Sequence, residues 1–225
     1  MSFFSKRESE NGLDQIVSRA VGMLGDARHS FDLATLALLS NTDTAAVEAD
    51  VRETDQRINH MEQQLRSELV VHVTVQGSSD IGSVLGMILL LKKIERIGDQ
   101  AANILDLAES GVRLTGEPDT EAMLAERGLI STMFGEAADL LSEPDDERTE
   151  EFSTRVQAVV AEHQAKIESY LHSDRPGREV VPRAIYYRYL KRIVANLLGI
   201  VRTAAAPLPA FADQSDSDET DDRDD

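Results

Sequence analysis

The chain contains no cysteine and no tryptophan, and only five of its 23 basic residues are lysine. Without cysteine there is no disulfide framework, no thiolate metal centre and no cysteine nucleophile. Aromatic residues make up 4% of the 225 positions. The apolar content therefore falls to alanine, leucine, isoleucine and valine, a mixture that suits helix packing better than a β-sandwich. Basic charge is also short, with 41 acidic residues giving a net charge of −18. Nucleic-acid binding, which needs a basic footprint, is excluded on that ground. Long apolar runs are missing too. The nearest approach, Ile81 to Leu91, is eleven residues and includes Gly82, Ser83 and Gly86, against about 20 residues for a bilayer span. The N-terminal MSFFSKRESENG lacks an apolar signal core, so the expected location is the cytoplasm.

What is present is enough for a folded chain: 41% of residues are hydrophobic, which excludes global disorder. Part of the acidity is local, because Asp213 to Asp225 holds eight acids and one arginine. The acid-rich, lysine-poor balance fits a halophilic origin and a GC-rich one equally, and nothing that follows depends on the choice.

Helical period runs along almost the whole chain, and strand alternation does not. Ile16, Val17, Ala20, Met23, Leu24, Ala27 and Phe31 recur at steps of three and four, predicting a first helix from about Leu13 to Leu39. Further helices are expected over about 44–73, 81–110, 120–142, 147–171 and 180–206. The breaks fall at Ser40–Asp43, Gly77–Asp80, Gly116–Pro118, Glu143–Asp145 and His172–Gly177, and Pro207 ends the last helix. Gly111 is placed to cap the third.

The halves also repeat. Leu91–Ile97 sits over Tyr187–Ile193 without a gap, and Met61–Leu65 over Ile167–Leu171. The expected fold is all-α, with two tandem three-helix bundles or one continuous helical body. Its divisions are a flexible N-terminus (1–12), a first repeat (13–112), a linker (113–118), a second, degenerate repeat (119–206) and an acidic disordered tail (207–225).

The third helix carries Glu95 and Asp99, four residues apart and so on one face. They share that face with Val84, Ile88, Leu91 and Ala102, so two acids stand in a seam that is otherwise apolar. In the second helix Asp55, Asn59 and Glu62 border the apolar set Val51, Ile58, Leu65 and Leu69. Antiparallel packing of the two helices lets these groups meet. An all-oxygen cluster of this kind suits a hard divalent cation, or iron or manganese. The competing reading pairs the acids with Arg57, Lys92, Arg96 or a helix N-terminus.

The five histidines have no HxxxH or ExxH spacing, which favours core or surface roles over ligation. Tyr186, Tyr187 and Tyr189 read as a stacked core, Gly82, Gly86 and Gly98 as points of close helix contact, and Phe3-Phe4 with Lys6-Arg7 as a frayed end. No Gly-Lys-Ser/Thr follows the glycines, and no nucleophile elbow is present.

Asp55-Gln56-Arg57-Ile58-Asn59, Gln76 through Asp80, and Ile94-Glu95-Arg96-Ile97-Gly98-Asp99 followed by Asn103-Ile104 together resemble the first repeat of the PhoU family, regulators of phosphate uptake. The resemblance extends over six helices in two repeats, with its specificity concentrated in residues 94–104. Gly77 replaces the family's proline and Ile81-Gly82 its Leu-Arg. In the second repeat Lys191 stands at the Glu position and Ala195 at the Asp position, with Ala161 and Ala165 over Asp55 and Asn59.

The resemblance implies a non-enzymatic regulator of phosphate transport and phosphate-responsive signalling that works through protein contacts. A metal ion, divalent or of iron type, would be held by Glu95 and Asp99, with Asp55 and Asn59 as secondary ligands. The implied partners are the ATPase of a phosphate ABC transporter and a sensor histidine kinase, with self-association as a homodimer or larger oligomer. Membrane contact would come only through those partners. The alternative is an accessory subunit of a sodium–phosphate or other ion transporter, where such repeats also occur. An oxidase of the ferritin-like kind is disfavoured, because no Glu has a His three residues on.

Overall fold

Every long apolar repeat of three and four becomes a helix in the computed structural model, which describes residues 3–40, 42–76, 81–116 and 119–206, leaving aside the side chains of residues 3–11 and 76. The six helices are α1 (Phe3–Leu39), α2 (Thr44–Gln76), α3 (Ile81–Glu109), α4 (Thr120–Ser142), α5 (Asp146–Leu171) and α6 (Gly177–Ala205). Among the described residues there is no strand, and none of the helices is long and apolar enough to cross a membrane. The expected break at Gly77–Asp80, the acidic tail and the Phe3-Phe4/Lys6-Arg7 side chains lie outside the described residues.

Two boundaries differ from the periodic reading. Helix α1 starts at Phe3, ten residues before the apolar repeat becomes regular at Leu13. The polar stretch before Leu13 has no period to detect, but it contains no proline to stop a helix. Helix α6 starts at Gly177 and carries Pro182 inside it. The ring removes one backbone donor near the N-terminus, opposite the carbonyl of exposed Arg178, where water can replace the bond. Elsewhere the local signals hold. Asp145 caps α5 by accepting from the Arg148 amide at 2.7 Å, and Asp146 and Glu147 fill the first turn where the helix dipole favours them. Gly111 ends α3 at φ +87°, a conformation that favours glycine.

Helices α1, α2 and α3 form one bundle, and α4, α5 and α6 the other. They are joined through α1 against α4 and α3 against α6. The apolar cores are not separate: one cluster runs from Ile16, Leu24 and Phe31 through Leu91, Ile97 and Ile104 to Phe134, Tyr186 and Leu197. At the α1–α4 seam Phe31 stacks on Phe134 at 5.6 Å. Beside the rings, Arg127 pairs with Asp32 at 3.1 Å, and Ser131 donates to Asp32 at 3.0 Å.

Helices α3 and α6 cross antiparallel. Met87 shares a cavity wall with Thr203, the Lys93 stem lies on Gly199, and Asp99 feels the charge of Arg192. The α3 number rises as the α6 number falls.

Candidate functional site

Glu95 and Asp99 lie where α3 passes α2, and Asp55 comes from α2 to meet them. A Cβ added at Gly98 would lie 3.2 Å from Ile58 Cδ1 and 3.7 Å from Asp55 Oδ1. The glycine therefore lets α2 approach and sets Asp55 beside the α3 carboxylates. Asn59, one turn on, donates to Asp55 Oδ2 at 3.3 Å. The structure thus brings all four of the sequence-predicted residues to one edge of the first bundle. All four are half-buried rather than sunk in the seam, whose apolar members Val84 and Leu91 are fully buried.

The electrostatics are those of an undercompensated acidic cluster. Burial pushes the Asp99 carboxyl above its usual range, and the charges of Glu95 and Asp55 push it further, against weaker opposition from Lys92 and Arg192. Burial likewise raises Asp55; Arg52 opposes this, and Glu95 adds to it. Arg52 is itself engaged by Asp106 and Glu109. Lys92 Nζ sits 2.6 Å from Glu95 Oε1, while Glu95 Oε2 is buried with no hydrogen-bond partner. The pairing with Lys92 that the competing reading anticipated is therefore present, and it neutralises one carboxylate of three. Arg57 turns away to Asp26, with both contacts at 2.9 Å.

Glu62, which the sequence places beside Asp55 and Asn59 at the border of the apolar set but outside the candidate ligands, continues their edge of α2. It shares a face of α2 with Asp55 and Asn59, is 4% exposed, and has Oε1 buried without a hydrogen bond, facing Arg66 at 3.3 Å. Its signal was the spacing 55, 59, 62, which continues the polar edge by one more turn. As the side chains stand, no three His, Cys, Asp or Glu groups among the described residues are gathered as metal ligands.

The second bundle holds different chemistry. Lys191, at the position of Glu95, donates to Gln164 at 2.7 Å, and Ala161, Ala165 and Ala195 leave no donors around it. Nearby, fully buried His163 meets Glu126 at 2.6 Å, and Lys166 meets the other Glu126 oxygen at 2.9 Å. Lys166 also lies over the Tyr187 ring at 4.5 Å, and Tyr187 packs against Tyr186 and Tyr170. Burial alone would raise Glu126, but the hydrogen bonds from His163 and Lys166 outweigh it and hold the carboxyl below its usual range. Tyr186 and Tyr187 are core, as their spacing suggested, while Tyr189 is only half-buried at its margin.

Against known proteins, the family model described as the PhoU domain matches residues 21–108. That stretch, under half of the chain, is similar to the PhoU domain. The matched span covers the second half of α1 and all of α2, and stops at the end of α3. All four candidate ligands and Glu62 lie inside the matched span, and the altered residues Lys191 and Ala195 lie beyond it. The fold as a whole is similar to the crystal structure of PhoU from Pseudomonas aeruginosa, with a TM-score of 0.73 at 22% identity over 87% of this chain and 96% of that one. No curated protein matches the sequence. The likeness of fold therefore continues through the second bundle, where the PhoU acidic motif does not.

Proposed function

We propose that this protein is a regulator of phosphate uptake and phosphate-responsive signalling that acts by binding rather than by catalysis. The observation that carries this reading is the match to the PhoU domain over residues 21–108. Similarity to Pseudomonas aeruginosa PhoU across most of the chain supports it at the level of fold. On this reading the ATPase of a phosphate ABC transporter and a sensor histidine kinase are the partners, and self-association presents more than one copy of the helical surface to them. A long, continuously packed helical body suits such a role, because it offers broad faces at fixed spacing.

The acidic edge adds a regulatory cation. Glu95, Asp99, Asp55 and Asn59 supply oxygen donors fit for a hard divalent ion or iron. The unpartnered Glu95 Oε2 and the upward push on Asp55 and Asp99 favour a positive charge at this edge. When bound, the ion would cancel the repulsion between α2 and α3 and fix their approach. The chain's own residues set the limits of the site. Lys92 competes for Glu95, and the altered second repeat confines the donors to one bundle.

Removing the protein from its host should deregulate phosphate uptake and switch on the phosphate-starvation response in phosphate-rich medium. Reintroducing the chain should restore both. Unchanged uptake and an unchanged response after deletion would contradict the regulatory role.

A further inference from the structure

Two lines of residues, one in each half of the chain, match position by position. On α3 they are Leu85, Leu89, Lys92 and Arg96; on α6 they are Val181, Ile185, Arg188 and Arg192. Both follow steps of four, three and four, so each runs along one helix face. The offset between them is the one that lays Leu91–Ile97 over Tyr187–Ile193. The halves differ at Glu95 and Asp99, yet here they agree in apolar residues and cations alike.

Both lines are open. Leu85, Leu89 and Val181 are exposed by 41%, 53% and 52%, and Ile185 is half-buried. One exposed leucine needs no explanation, but apolar residues exposed at matching places on two helices do. Arg96, Arg188 and Arg192 are exposed too. Among the described residues they take no carboxylate as an ion-pair partner, whereas most other cations of the molecule do. Lys93 is also without one and rests its stem on Gly199; Lys92 is held by Glu95.

The crossing of α3 and α6 makes one face of the two lines. Asp99 continues the α3 line by one turn and feels the charge of Arg192. Antiparallel packing then sets Arg96 and Arg192 near the middle, with Lys92 and Arg188 outside them. Leu85 and Leu89 occupy one end, and Val181 and Ile185 the other. The cations extend over about 16 Å and the whole face over about 38 Å, the length of a helix of about 25 residues.

We infer that this face receives an acidic amphipathic helix of a partner protein, with its acids in the middle turns and apolar residues toward both ends. Acids in the middle meet the open arginines, and the apolar ends cover Leu85, Leu89, Val181 and Ile185. A second copy docked through the same face would set Arg96 and Arg192 against their own kind. An anionic membrane would bring lipid phosphates onto Glu95, Asp99 and Asp55, which lie along the α2 side of the α3 line. A single helix laid between the two lines avoids both conflicts. The matched lines and the open cations carry this whatever pathway the protein serves.

Photo-crosslinking of the full-length protein in its own cells provides the test. A photoreactive phenylalanine analogue replaces Leu89 in one variant and Val181 in another, both exposed positions, with thermal melts to confirm folding. Both variants should join the same partner protein, in two peptides about 20 residues apart that flank a stretch rich in Asp and Glu. Adding Arg96→Gln and Arg192→Gln, on exposed side chains, should cut both crosslinks at least about fivefold, as loss of exposed ion pairs allows. A synthetic peptide of the crosslinked segment should bind the purified protein and weaken with salt. Crosslinks to lipid, to a second copy or to a segment without acids would overturn the proposal. So would crosslinks that the arginine substitutions leave unchanged, or no crosslink from either position.

Discussion

Asp99 shows what the acidic edge costs and what it is for. With Glu95 one turn away it forms a like-charge pair on one helix, and Asp55 adds a third charge from α2. Asp99→Asn should therefore stabilise the metal-free protein, by about 0.5 kcal/mol on the scale of helical like-charge pairs. The sign follows from linkage. A carboxyl whose folded pKa lies above its unfolded value weakens the fold at neutral pH, and the penalty is relieved as pH falls through the raised value. The advantage of Asp99→Asn should thus shrink on acidification, and if the proposed cation binds at this edge the variant should also lose the stabilisation that added divalent metal gives. Thermal melts with and without metal check both halves, and a destabilised metal-free variant would contradict the first.

Glu126 behaves in the opposite sense. It accepts from His163 and Lys166 in a buried setting, so Glu126→Ala should cost about 2–4 kcal/mol by leaving a buried histidine without its partner. Its folded pKa is depressed, so the stabilisation is present above the ordinary carboxylate range and disappears as pH falls through the depressed value. Denaturant melts of the two proteins should therefore converge in acid. A gap that stays constant with pH would point to packing alone. At this scale the sequence was legible where spacing reports on a face: Glu95, Asp99, Asp55 and Asn59 lie along one edge of the first bundle, though not drawn together as metal ligands. It was silent on Glu126 and His163, which are far apart in the chain and meet only because α4 and α5 both pack on α6.

At the scale of elements, helix ends were read well where a specific side chain marks them. Asp145 and Gly111 act as their residue types suggest, and the start of α4 at Thr120 fell where expected. Asp145→Ala should lower stability by about 1 kcal/mol, the usual worth of an N-cap, with hydrogen exchange quickening first in the opening turn of α5. Protection unchanged there would show that the cap is redundant with the acids of the first turn. The starts of α1 and α6 were misplaced because hydrophobic period defines a helix only where it packs. Residues 5–12 are polar or glycine, and Gly177–Glu179 precede the first buried residue of α6, Val180.

For the whole molecule, the repeat visible at Leu91–Ile97 and Tyr187–Ile193 becomes the antiparallel α3–α6 pair at the centre of the fold. The two copies have diverged in charge. The first keeps three carboxylates around Gly98, and the second replaces them with Lys191 and alanines. The two halves thus differ in charge, with an acidic edge on the first bundle and Lys191 beside Arg192 at the matching place on the second. That asymmetry was present in the sequence as residue identities. The crossing that brings the two kinds of surface side by side needed the fold.

Recovery of tagged full-length protein from its own cells, grown with phosphate and starved of it, tests the regulatory account most directly. Mass spectrometry should find a phosphate uptake ATPase or a sensor kinase whose association changes with phosphate. Recovery of an unrelated transporter, or of the same partners at the same level in both conditions, would contradict it.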